Sequence, residues 1–349
     1  MKGHLFLAGL GLLATATSAQ PGAQQPLFAT KAPLRIEIKG PITALVKGRR
    51  EARTTFPATL TVIATGEHDP IGLTPRGITR LREDVCRFPP LRVDFTPPPV
   101  GPSPFAGQDR IKLVTHCRPA EDFQQKVLLE YAAYRMFNQI SPASFNVRLA
   151  TIDYVEADGR PFATRVGYFL ENDHALAARL GLVRAKIRQR VPLAMIDPAS
   201  AARFVLFDFM IGNLDWALQD GPPGENCCHN GVLLTTRGYA NTGLVAVPYD
   251  FDFSGLVDAP YATPPDGFSI GSVKQRVYRG YCVHNNAVLA AARDFRARRP
   301  TMLAELGAVP GIRPDTVKRA TAYLDGFFAL IASDDVVTAR ILSRCLTGG

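Results

Sequence analysis

Six side chains carry the chemistry this sequence offers, and they occur in the order Lys112, Glu130, Asp215, Asn230, Asp250 and Asp252. Phosphoryl transfer requires a cation on the phosphates, oxygen ligands for a divalent metal and a carboxylate near the attacking hydroxyl. Lys112 lies within the apolar run Ile111-Lys112-Leu113-Val114. Its ammonium must therefore face solvent or an anion. On the helix that follows, Phe123, Val127, Glu130 and Tyr134 fall on one stripe at i, i+4, i+7 and i+11. A carboxylate on the face packed against a sheet is costly without a cation. Lys112 is the nearest candidate, so a Lys112–Glu130 pair is expected. An isolated salt bridge between strand and helix would read the same way.

The second constellation follows a buried helix. Gly212-Asn213-Leu214-Asp215-Trp216 comes first, then His229-Asn230, a short strand, a turn and a second strand ending in Pro248-Tyr249-Asp250-Phe251-Asp252. An aspartate after a helix usually makes a cap or turn, and Asp-x-Asp often ends a strand for local reasons. The joint order of lysine, glutamate, aspartate, asparagine and aspartate is the more specific signal.

The elements that must position these residues divide the chain in two. Leu34–Ile38, Thr59–Ile63 and Leu91–Phe95 alternate with period two or nearly so, and Arg110–Thr115, Phe145–Val155 and Thr164–Leu170 also read as strands. A helix is expected from about Ala120 to Asn138. After Glu171 the pattern becomes mainly helical, with a buried helix over Ala199–Ile211 stopped by Gly212 and helical patterns over Val288–Arg298 and Pro314–Leu346. Val232–Leu234 and Leu244–Val247 read as two short strands. The expected organisation is a signal peptide over 1–19, a flexible segment over 20–32, a β-rich first lobe with one long helix over 33–171, and a mainly helical second lobe over 172–349.

The motifs Gly212-Asn213-x-Asp215, His229-Asn230 and Pro248-Tyr249-Asp250-Phe251-Asp252 resemble those of the CotH-like family of atypical protein kinases. Pro75-Arg76-Gly77-Ile78-Thr79-Arg80 is similar to that family's Arg-Gly turn before the lysine strand. The resemblance runs in order from about Pro75 to Asp252. It implies a two-lobed, protein-kinase-like α+β fold, ATP and Mg2+, and phosphate passed to a protein hydroxyl. By that likeness Lys112 holds the ATP phosphates, oriented by Glu130, with Arg76 and Glu171 as further nucleotide contacts. Asp215 acts on the acceptor hydroxyl, and Asn230, Asp250 and Asp252 hold metal. The segment Gln219–Cys228, with Gly221-Pro222-Pro223-Gly224 and two adjacent cysteines, departs from the family pattern. The alternative is a non-catalytic kinase-like binding or scaffold protein.

Compartment and class follow from the remaining residues. Lys2, the apolar run Leu5–Leu13 and Thr17-Ser18-Ala19 read as a cleavable secretory signal. The chain is therefore expected to be periplasmic or secreted, acting on a secreted or envelope protein, without nucleic acid as partner and without stable membrane insertion. The net charge of +9 is spread out, densest at Arg184, Lys186, Arg188 and Arg190, and reads as a solvated basic face. All six cysteines follow the signal, an even count that favours disulfides. Setting Phe95 opposite Arg110 in a hairpin brings Cys86 nearly opposite Cys117. Cys227 and Cys228 are then expected to pair with Cys282 and Cys345. Adjacent cysteines have the wrong spacing for zinc. Gly267-Phe268-Ser269-Ile270-Gly271 lacks the strand-to-helix context of a nucleophile elbow.

Overall fold

Local alternation along the first half of the chain produces seven strands that close on themselves. The computed structural model describes residues 25–50, 54–187, 190–222, 226–236 and 242–347. The expected signal peptide and Arg188 of the basic cluster lie outside these residues. The strands are β1 (Leu34–Gly40), β2 (Phe56–Val62), β3 (His68–Pro75), β4 (Leu91–Phe95), β5 (Arg110–Val114), β6 (Val147–Glu156) and β7 (Pro161–Leu170). They form a closed barrel in the order β1-β2-β3-β4-β5-β7-β6. Closure comes from β1 and β6, which pair in parallel with Ile36 opposite Ile152 and Ile38 opposite Tyr154. The other pairs are antiparallel.

This closed mixed barrel, with helices packed around it, overturns the expectation of a two-lobed, protein-kinase-like α+β fold with a β-rich first lobe and a mainly helical second lobe. The pairing that closes it joins strands far apart in sequence, and local periodicity carries no record of such a contact. Alternation nevertheless assigns the faces. On β7, Phe169 points into the barrel core with Ile36, Ile38, Leu60, Val93 and Ile111. Its neighbours Tyr168 and Leu170 face outward into the helical core.

The helices are α1 (Ile42–Lys47), α2 (Glu121–Asn138), α3 (Asp173–Arg179), α4 (Pro198–Ile211), α5 (Asn285–Gly307), α6 (Pro314–Leu330) and α7 (Asp334–Arg340). A small sheet of β8 (Val183–Arg184), β9 (Gly231–Thr235) and β10 (Val245–Pro248) runs in the order β10-β9-β8. One apolar core unites α2 residues such as Leu128, Ala132 and Phe137 with α4, α5 and α6 residues such as Phe207, Phe295 and Phe327. The expected boundary at residue 171 marks the end of the barrel, and this core continues across it. Residues 25–32, expected to be flexible, are packed in part. Leu27 and Phe28 are buried, and Arg148 donates to the carbonyls of Leu27 at 3.0 Å and Thr30 at 2.8 Å.

The cysteines form three disulfides, Cys86–Cys117, Cys227–Cys228 and Cys282–Cys345. The first matches expectation, although the hairpin register is one residue different: Asp94, not Phe95, lies opposite Arg110. The second and third correct the expected exchange between the adjacent pair and Cys282 and Cys345. The tertiary structure brings Cys282 to Cys345 because Tyr281 bridges to Leu346 at the end of the chain. These bonds are consistent with an exported, oxidising compartment. Among the described residues no helix is long and apolar enough to cross a membrane.

Candidate functional site

The buried helix α4 ends where chemistry begins. Gly212 caps it in the left-handed region at φ 68°, where a Cβ would meet the Tyr323 hydroxyl at 2.0 Å. Asn213 then ties the helix end to the loop. Its backbone N–H donates to Asp208 O at 2.7 Å, its side-chain amide donates to Asp208 Oδ1 at 2.9 Å, and its Oδ1 accepts from Asp215 N–H at 3.1 Å. Burial raises the pKa of Asp208 well above the carboxylate range. Trp216 is core, its indole N–H donating to Asn213 O at 3.1 Å. The loop therefore leaves Asp215 partly exposed while its neighbours are fixed.

His229 and Asn230 meet Asp215 from the other side. A backbone bridge joins Ala217 to His229, Asp215 Oδ1 lies 2.9 Å from His229 Nε2, and the Asn230 amide donates to Asp215 O at 2.6 Å and Oδ2 at 3.0 Å. Tyr249 N–H donates to Asn230 O at 3.1 Å, which brings in the end of β10. Asn230 and Asp250 both occupy the left-handed region, at φ 48° and 66°. Among non-glycine residues, asparagine and aspartate tolerate it best, and such outliers persist where the surroundings enforce them.

Asp250 is held by α2, its backbone N–H donating to the Tyr134 hydroxyl at 2.8 Å. The same stripe of α2 delivers Glu130. Carboxylate oxygens of Glu130, Asp250 and Asp252 all lie within 4.8 Å of one another. Asp252 is buried and accepts from the Tyr261 hydroxyl at 2.9 Å. Burial, and then the neighbouring Asp250, raise its pKa to about 7. Burial and Asp252 likewise push Glu130 well up.

The cation beside this pair is Arg80, not Lys112. Arg80 donates to Thr115 O at 2.7 Å, and its charge acts on Glu130, Asp252 and Tyr261. Burial works against its charge, and the surrounding negative groups outweigh that effect, so its pKa is raised. Lys112 forms no ion pair among the described residues; its Nζ lies 5.1 Å from the centroid of the Tyr249 ring. With Ile111 and Leu113 pointing into the barrel, Lys112 projects outward to where Arg76, Asp250, Asp173 and Arg184 act on its charge. Burial, and then the repulsion of Arg76, lower its pKa to about 8.

The structure thus gathers Lys112, Arg76, Asp215, Asn230, Asp250, Asp252 and Glu130 around one region, with two roles rearranged. Glu130 joins the acidic group instead of pairing with Lys112, and Asn230 binds Asp215 instead of standing in that group. Glu171 has no such place: its buried carboxylate bonds Arg179 through Nε and Nη2, both at 3.0 Å, and accepts from Asn146 N–H at 2.8 Å. Arg80, His229, Tyr134 and Tyr261 complete the arrangement without having been assigned roles from the sequence. Arg80 lies in the turn opened by Gly77 at φ 95°, inside a quoted motif, and Tyr134 lies on the stripe that identified Glu130. Both signals were present in the sequence. Three clustered oxygen donors fit a hard divalent cation, and the unpaired ammonium fits an anionic group. No protein-family model matches the chain, and no curated protein matches it.

Proposed function

We propose that this protein is a metal-dependent phosphotransferase that passes the γ-phosphate of ATP to a hydroxyl of a secreted or envelope protein. The observation that carries this reading is the convergence of a desolvated, unpaired lysine with Asp250, Asp252, Glu130 and Asp215. Lys112 and Arg76 provide positive charge for the phosphates, with the Lys112 ammonium set over the Tyr249 ring. Asp215, steadied by His229 and Asn230, takes the proton of the acceptor hydroxyl as its oxygen bonds the γ-phosphorus. The bond from that phosphorus to the β,γ-bridging oxygen breaks, and ADP leaves with the electron pair. Glu130, Asp250 and Asp252 would hold Mg2+, which when bound supplies neutralisation of phosphate charge.

A second reading is favoured by Arg80, which already neutralises part of the Glu130–Asp252 charge. On that reading the region is an anion-binding site without turnover. Thermal unfolding with and without Mg-ATP separates the two from a protein with no nucleotide site. The enzyme gains stability, by about 2.7 kcal/mol at a hundredfold excess over Kd, and transfers label from γ-labelled ATP to an envelope-protein fraction. Asp250→Asn removes both effects. Stabilisation without transfer leaves the binding reading, and no stabilisation at millimolar nucleotide rejects both.

A further inference from the structure

The three disulfides do different mechanical work. Cys86–Cys117 and Cys282–Cys345 span 31 and 63 residues of sequence and tether separate elements. Cys227–Cys228 joins neighbours and tethers nothing distant, so it contributes little through loop closure. It is half-buried, whereas Cys86 and Cys117 are enclosed. What it does constrain is the backbone immediately before His229 and Asn230, the two residues that grip Asp215. Both sulfurs lie against the Leu218 carbonyl, at 3.5 and 3.2 Å, beside the Ala217–His229 bridge.

We propose that Cys227–Cys228 is a redox modification site governing the geometry around Asp215. The co-reactant is a dithiol reductant of the exported compartment. One thiolate of the dithiol attacks a cysteine sulfur, the S–S bond breaks, and a mixed disulfide forms. The second thiol of the reductant displaces it, leaving Cys227 and Cys228 as thiols that have gained two electrons and two protons, and the reductant as a disulfide. The opened ring frees the backbone torsions of both residues. His229 and Asn230 then hold Asp215 for a smaller fraction of the time. Because Tyr249 N–H donates to Asn230 O beside Asp250, the loosening reaches the metal-holding carboxylates, and apparent Mg-ATP affinity falls in proportion to that fraction. The loss of nucleotide affinity rests on the phosphotransferase or anion-binding reading; the local loosening does not.

The test uses the full exported chain titrated with dithiothreitol, with differential alkylation and mass spectrometry identifying which cysteines open. Amide hydrogen exchange over residues 215–230 and Mg-ATP affinity by calorimetry are read on the same samples. The expected result is reduction of Cys227–Cys228 in folded protein, faster exchange over 215–230, and about tenfold weaker Mg-ATP binding, all reversed on reoxidation. The double variant Cys227→Ser/Cys228→Ser shows the reduced behaviour without reductant and no longer responds to it, which excludes Cys282–Cys345 as the source. Should that variant not fold, a Cys282→Ala/Cys345→Ala variant that keeps the response serves the same purpose. The proposal is overturned if the adjacent pair stays oxidised throughout the folded range, or if its opening leaves exchange over 215–230 unchanged. Failure of the oxidised protein to bind Mg-ATP rejects the nucleotide reading alone, because alkylation and exchange still decide the redox site.

Discussion

Lys112 is held in a position that costs stability. Burial and the nearby Arg76 lower its pKa to about 8 from 10.5, so between those values the unfolded chain binds more protons than the folded one. Stability must therefore rise with pH across that window, and the cost stands in full below it. Lys112→Met should stabilise the nucleotide-free protein at pH 7 by about 1–2 kcal/mol, after discounting for the partial exposure of the side chain. It should also remove the associated gain between pH 8 and 10, as read by urea denaturation at both pH values, while weakening nucleotide binding. A Lys112→Met protein that is less stable at pH 7 would show the lysine to be a structural cation. At Glu130 the physical reasoning holds and the partner changes. A buried carboxylate on a packed helix face needs a cation, and Arg80 supplies it from a turn remote in sequence. Proximity along the chain pointed to Lys112; proximity in space is decided by how the turn after Gly77 folds over α2.

The elements formed much as their periodicity indicates, and the exceptions have local causes. β4 occupies Leu91–Phe95 as expected, and α2 begins one residue later than the Ala120 start. β3 escaped recognition because Pro70, Gly72 and Pro75 break its alternation, yet it pairs with β2 and β4. The helical pattern expected over Pro314–Leu346 is interrupted after Leu330, and α7 starts afresh with the Ser333 hydroxyl accepting from Val336 N–H at 3.2 Å. Gly212 is the junction on which the site depends. Gly212→Ala forces a side chain into the left-handed region and against Tyr323, so a loss of about 2–3 kcal/mol is expected. Equilibrium denaturation measures it, and an unchanged midpoint would mean that α4 can end otherwise.

For the molecule as a whole, the apolar core shared by α2, Tyr168 and Leu170 with α4, α5 and α6 joins the two halves, while barrel closure and the long-range disulfides tie elements within each half. Cys86–Cys117 joins the loop before β4 to the end of β5, where Arg87 and Phe88 also donate to Cys117 O at 2.8 and 2.9 Å. Removing it with Cys86→Ala/Cys117→Ala should cost about 3–4 kcal/mol, the loop-closure value for 31 residues. The thermal midpoint should fall accordingly. A loss below about 1 kcal/mol would show that the backbone bonds alone hold that loop. The barrel carries its own core of Ile38, Leu60 and Phe169, separate from the helical core. Ile38→Ala is expected to cost about 2–4 kcal/mol by opening a cavity at the closing seam, again read by denaturant midpoint.

The sequence alone determined most of the longer strands and helices, the alternating faces of β1 and β4, the stop at Gly212 and the residue types able to bind phosphate and metal. Each of these follows from side-chain period or backbone sterics within a few neighbours. Only the tertiary structure decided that β1 meets β6, that Glu130 faces Arg80 and Asp252, that Asn230 binds Asp215, that Glu171 belongs to Arg179, and that Cys282 bonds Cys345. Those pairings depend on which distant surfaces bury one another, and short-range sterics favour none of them.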